Sequence, residues 1–204
     1  MRRIIIVFLV IIECCYLSGR AMPASIVNID LKLQNGELGV VFLYSSGNES
    51  LLLKTIDKTH LIILKLGDKD NLLKHISAFN GRIDYLIAHE DYEISYQKFY
   101  YLKGKFDVDN IEMEISNDNL LIKYQNHSLC VLKNDNHSFR CDYLYLNNSN
   151  ITLGKSELVI YSDLDDDFLE KLYDKWIDIY RLKTDSYNVL KIGENYDIIS
   201  IPLK

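Results

Sequence analysis

Short apolar runs of strand length, separated by turns rich in Asn, Asp and Gly, recur from Ile26 to Ile201 and restrict this chain to a β-rich fold. Residues 26–33, 38–44, 51–55 and 61–66 read as strands, and Asn35-Gly36 is the sharpest local hairpin signal. Leu72, Leu73, Ile76 and Phe79 then recur at three- and four-residue spacing ahead of Asn80-Gly81, which predicts a short helix over 68–79. A compact apolar strand follows at 83–88. From Tyr92 to Tyr161 the runs 94–101, 111–115, 120–124, 128–132, 139–146 and 157–161 suggest a meander. Ser162 offers a helix N-cap, with Asp163, Asp165, Asp166 and Asp167 where the helix dipole favours acid. Leu169, Leu172, Tyr173, Trp176 and Tyr180 share one face of that predicted helix, and Arg181 and Lys183 suit its carboxyl end. Strands at 189–192 and 196–201 complete the chain. The expected class is α+β: a β-rich single domain, mostly antiparallel, with a short mid-chain helix and an amphipathic helix near the C-terminus.

The first residues have a different character. Arg2 and Arg3 precede the apolar run Ile4 to Ile12, and Ser18, Gly19, Arg20 and Ala21 follow. A charged head, a short apolar middle and a small-residue exit are the layout of a secretory signal peptide. Cleavage is expected after Ala21, with Ala24 as second choice, leaving residues 22–204 as one exported domain. The run is short of the about 20 apolar residues that span a bilayer. An uncleaved N-terminal anchor is the alternative.

Export changes how the cysteines and asparagines are read. Cys14 and Cys15 fall near the leader's end, so Cys130 and Cys141 are the pair left to an oxidising compartment. A two-residue turn at Asp135-Asn136 would set them directly opposite one another across a hairpin, where a disulfide closes a short loop worth roughly 2–3 kcal/mol. Free thiols in a reducing compartment are the alternative. Five Asn-x-Ser/Thr triplets begin at Asn48, Asn126, Asn136, Asn147 and Asn150, each in a segment with turn character. They are the expected glycosylation sites, which requires exposed acceptors.

Charge and motifs narrow the function. The formal charge of −6 becomes −8 once a leader of net +2 is removed, and an acidic chain repels phosphate backbones. Nucleic acid is not an expected partner, nor is the membrane after cleavage. The five histidines form no zinc pattern, and no phosphate loop, nucleophile elbow or cofactor motif occurs. Asp163-Leu164-Asp165-Asp166-Asp167 lacks the Gly and Glu of a calcium loop, since Phe168 and Asp174 hold those places. No cofactor or metal is expected. His89-Glu90-Asp91, at the end of the strand 83–88, is the best local cluster for chemistry, against the reading of a solvated turn. Tyr96, Tyr100, Tyr101, Tyr143 and Tyr145 form a candidate binding surface, although half-buried strands also favour tyrosine.

Residues 51–66, then Leu72-Leu73-Lys74 and the run from Gly81 through Ile83-Asp84-Tyr85-Leu86-Ile87-Ala88 to His89, resemble the opening of a metallo-β-lactamase-type domain. The version at the end of ComEC/Rec2-like DNA-uptake proteins follows a membrane helix in the same way. The resemblance covers about half the chain. It implies a metal-free remnant without hydrolase activity, tethered by its N-terminal helix, because the family's His-x-His-x-Asp-His is replaced by His89-Glu90-Asp91-Tyr92. The composition is also similar to secreted immune-evasion proteins of AT-rich large DNA viruses. The leading expectation is therefore a secreted, N-glycosylated, non-enzymatic binder of a basic extracellular protein such as a cytokine, chemokine or receptor. The degenerate domain is the first alternative, and a secreted enzyme centred on His89 and Glu90 is the second.

Overall fold

The computed structural model describes residues 28–45, 47–133, 140–146, 151, 156–175 and 177–203. The proposed leader, Asn136, Asn147, Asn150 and Trp176 lie outside them. Among the described residues no helix is long and apolar enough to cross a membrane.

The first half builds one sheet. Strands β1 (Leu38–Ser45), β2 (Asn48–Lys54) and β3 (Thr59–Lys65) pair antiparallel in sequence order, β1 with β2 and β2 with β3. Helix α1 (Lys69–Ser77) then carries the chain over to β4 (Tyr85–Ala88), which pairs parallel with β3, and β5 (Lys98–Tyr101) adds parallel to β4. Asp68 caps α1 by accepting from the Asn71 amide at 3.0 Å, and Leu72 and Ile76, one turn apart, are its buried residues. Asn80 and Gly81, with φ of 82° and 65°, end the segment in the left-handed region.

The second half builds a second sheet from β6 (Lys105–Val108), β7 (Ile111–Ser116), β8 (Asn119–Tyr124), β9 (His127–Leu132), β10 (Tyr143–Leu146) and β11 (Leu158–Tyr161). Helix α2 (Asp166–Tyr173) and β12 (Asp178–Arg181) follow. β13 (Ser186–Ile192) returns to the first sheet beside β1, and β14 (Tyr196–Pro202) closes its edge. The orders are β14-β13-β1-β2-β3-β4-β5 and β12-β11-β10-β9-β8-β7-β6.

Alternation along the strands makes four layers. Val40, Phe42, Leu51, Leu53 and Ile62 of the first sheet meet Met113, Leu120, Ile122, Val131 and Ile160 of the second in the central core. Val41, Leu52, Leu61 and Leu86 face outward against α1, while Cys130, Leu144 and Val159 face outward against Phe168 and Leu172 of α2. The arrangement is helix, sheet, sheet, helix: a β-rich α+β domain of two mixed sheets.

Four local expectations change. The described part of segment 26–33 is not a strand; Ile29, Leu31 and Leu33 pack beside α1 instead. The meander ends at β9, because β9 to β12 are mutually parallel. The late helix starts later, capped by Asp165 through the Phe168 amide at 2.8 Å rather than by Ser162. It also stops at Tyr173. From Ile177 the period is two: Ile177 and Ile179 pack toward α2, and Tyr180 and Leu182 turn to the central core, which makes strand β12.

Candidate functional site

Strand direction sorts the polar residues into two ends. The carboxyl ends of β3, β4 and β5 lie together, and so do those of β9 to β12. Glu49 opens β2, level with Lys65 near the end of β3, and its carboxylate meets the Lys133 ammonium directly after β9 at 2.6 Å. Both sets of carboxyl ends therefore share one end of the sandwich, here termed the mouth.

At the mouth β4 delivers His89, Glu90 and Asp91, all exposed. His89 borders a shallow cavity of about 620 Å³ that also touches Tyr101, Lys103 and Asp118. The two carboxylates beside it are engaged. Tyr96 donates its hydroxyl to Asp91 at 2.9 Å, and Tyr92 hydrogen-bonds Glu90. The Asp91 bond raises the Tyr96 pKa above the usual phenol value, and burial does the same for Tyr92, with Glu90 adding to it. A metal centre of the resembled family would need several ligands here, and one free imidazole does not meet that need. No group of three or more His, Cys, Asp or Glu side chains suited to a metal occurs among the described residues. These residues do not fit the metal.

Deeper in the mouth, the inward faces of both sheets carry polar side chains. Tyr44 of β1 and Tyr145 of β10 pack with their rings tilted, 4.7 Å between centroids, and the Tyr145 hydroxyl donates to Ser162 at 3.3 Å. Burial pushes Tyr145 up to about 12 and also raises Tyr44 well above the usual phenol value, with Tyr145 and Glu49 adding to the Tyr44 shift. Both phenols stay protonated; Tyr145 donates to Ser162, while the buried Tyr44 hydroxyl has no hydrogen-bond partner among the described residues. The Lys133 amide donates to Asn119, itself fully buried, at 2.7 Å.

The opposite end holds another cluster. His60 is fully buried, stacks on Tyr85 at 4.9 Å, and sets its Nε2 3.5 Å from the Asp109 carboxylate. Nearby Asp84, also buried, accepts from the Thr59 amide at 2.9 Å and pairs with Arg82 at 2.9 Å. Burial holds His60 below its usual pKa, although Asp109 and Asp84 pull the other way.

The residues singled out from sequence scatter over this frame. Tyr143 and Tyr145 are each 1% exposed and belong to the central core, so they leave the expected binding surface. Their alternation on β10 points them inward, with Leu144 and Leu146 outward. Tyr100 is half-buried on the core side, while Tyr96 packs with Phe99 on the outer side and Tyr101 is 68% exposed. Asn48 is buried rather than exposed: its side chain donates to the Asp68 carbonyl at 2.9 Å and accepts from the Gly67 amide at 2.8 Å, bracing the β3–α1 turn. Attaching a glycan there would break that brace. Asn126 sits exposed in the turn between β8 and β9. Cys130 and Cys141 place their Cα atoms 5.9 Å apart with the sulfurs within bonding distance. The expected hairpin between them is not formed, because β9 and β10 are parallel and the pair spans their crossover.

Glu49, Lys133, Tyr44 and His60 were not visible as site residues in the motif search. Their signal is parity. Glu49 keeps step with inward Leu51 and Leu53, and Lys133 with inward Leu129 and Val131. A charge on the buried face of a strand marks a specific partner.

No family model matches the chain, and no curated protein matches it. Among solved structures, the metallo-β-lactamase fold protein YhfI from Bacillus subtilis superposes with a TM-score of 0.51 at 10% sequence identity, over 76% of this chain and 99% of that one. That likeness is one of fold: two facing sheets flanked by helices, in the arrangement of the metallo-β-lactamase fold.

Proposed function

We propose that this chain is a non-hydrolytic domain of metallo-β-lactamase fold, exported by its N-terminal segment and used for binding. The observation that carries the reading is the spent donor set after β4. Glu90 and Asp91 serve tyrosine hydroxyls, and of the three residues after β4 His89 is the one that borders the cavity. A lone exposed imidazole can exchange a proton, but the carboxylates that follow it, Glu90 and Asp91, are turned to tyrosine hydroxyls rather than left to orient it or to share a ligand set. The test is turnover of nitrocefin and bis(p-nitrophenyl) phosphate by protein made with zinc and manganese in the medium. The expected rate equals that of the His89→Ala variant. Turnover that disappears in that variant overturns the proposal.

The partner follows from charge. A domain of net −8 after leader removal, with exposed Tyr101 beside exposed Glu90, Asp91 and Glu93, suits a basic macromolecule. The extracellular-binder reading is supported by the exposed Asn126 and the Cys130–Cys141 pair, and Asn136, Asn147 and Asn150 lie outside the described residues. It has lost Tyr143, Tyr145 and Asn48 as surface groups. Production in eukaryotic cells separates two versions: a released product starting at Met22 with carbohydrate at Asn126 supports the free glycoprotein. Retention on the membrane with Met1 in place supports a tethered domain.

A further inference from the structure

The inward-facing pair at the mouth explains how this end of the sandwich closes. Glu49 stands on the first sheet and Lys133 on the second, so their 2.6 Å contact spans the gap between the sheets. Each side chain keeps about a quarter of its surface in contact with solvent, 25% for Lys133 and 23% for Glu49. That places the pair between a rim ion pair, worth little, and a fully desolvated one. Its surroundings are ordered: the Asn119 side chain fixes the Lys133 backbone, and the packed rings of Tyr44 and Tyr145 belong to the same inner layer. The register puts Glu49 level with Lys65, and Ile63 level with Ala88, so Glu49 lies two strands across from the residues that follow β4. At the usual strand spacing that is about 10 Å. Glu49, an inward carboxylate at this end, is thus already neutralised by the chain itself.

We propose that Lys133 is the resident cation of the mouth: its ammonium neutralises Glu49 and ties β2 of one sheet to β9 of the other, so this end holds together without a metal. The inference concerns what closes the sandwich and stands apart from whichever partner the domain binds. Removing the ammonium strands a half-buried carboxylate between two sheets, whereas removing both charges does not.

Thermal unfolding of the full chain tests it. Lys133→Ala should melt about 5 °C below the parent. Adding Glu49→Gln to that variant should recover most of the loss, and Lys133→Arg should stay near the parent. The parent's own melting temperature should not move with a chelator or with added zinc. The proposal fails if Lys133→Ala melts with the parent, if the double variant is no better than Lys133→Ala, or if chelation lowers the parent's transition. Should Lys133→Ala not fold at all, the folded double variant against the parent makes the same decision.

Discussion

The two ends of the sandwich solve the same problem with opposite chemistry. At the mouth, charge is paired across the sheets: Lys133 against Glu49, with protonated Tyr44 and Tyr145 packed alongside. At the far end, a neutral imidazole is buried instead, with His60 3.5 Å from Asp109, and with Asp84 ion-paired to Arg82 and accepting from the Thr59 amide. An ion pair at a partly solvated rim tolerates changes of solvent, while a buried neutral base does not tolerate its own proton. Acid should therefore strike the His60 end first, and loss of Lys133 should strike the mouth.

Substitutions can break this contrast, beginning with the largest. Tyr145→Ala empties a core position between the sheets and should cost about 4 kcal/mol by urea unfolding. A cost near zero would mean that the ring is not part of the core. At the other end, Asp84→Ala leaves the Thr59 amide without its acceptor and Arg82 without its partner, an expected loss of about 2 kcal/mol. A neutral result would remove Asp84 as a support of that end.

The pH dependence is smaller and has a definite sign. His60 in the folded chain titrates below the usual 6.5, so as pH falls past 6.5 the unfolded chain takes up the proton first. Stability is fully present above 6.5 and is lost from there down to the folded-state value. Unfolding at about pH 7.5 and about pH 5 should show a smaller drop for His60→Gln than for the parent, and equal drops would dismiss the role. The least effect belongs to the exposed edge, where Tyr101→Ala should change stability by less than about 0.5 kcal/mol. A larger change would mean that its ring is packed rather than available to a partner.

Local signals made much of this fold legible. β1, β2, β3 and β4 and the helix between the last two follow from apolar runs, the spacing of Leu72, Leu73, Ile76 and Phe79, and the Asn80-Gly81 stop. What local pattern does not carry is strand direction. Asp135-Asn136 reads as a hairpin turn, whereas β9 and β10, the strands on either side of it, pair in parallel in the packed second sheet. The same limit hid β12, whose Ile177 to Leu182 alternation continues a helical run without a Gly or Pro to divide them. The site was partly visible. His89 and its neighbours were found as a strand-end cluster, but Glu49 and Lys133 are 84 positions apart, and only the facing of the sheets brings them together.

Tightly held metal is the most direct discriminator for a sandwich that supplies its own cation. The purified chain, dialysed against zinc and manganese and then against metal-free buffer, should retain far less than one metal per chain by elemental mass spectrometry. A stoichiometric metal that survives dialysis and is lost on His89→Ala would contradict both the spent donor set after β4 and the role given to Lys133.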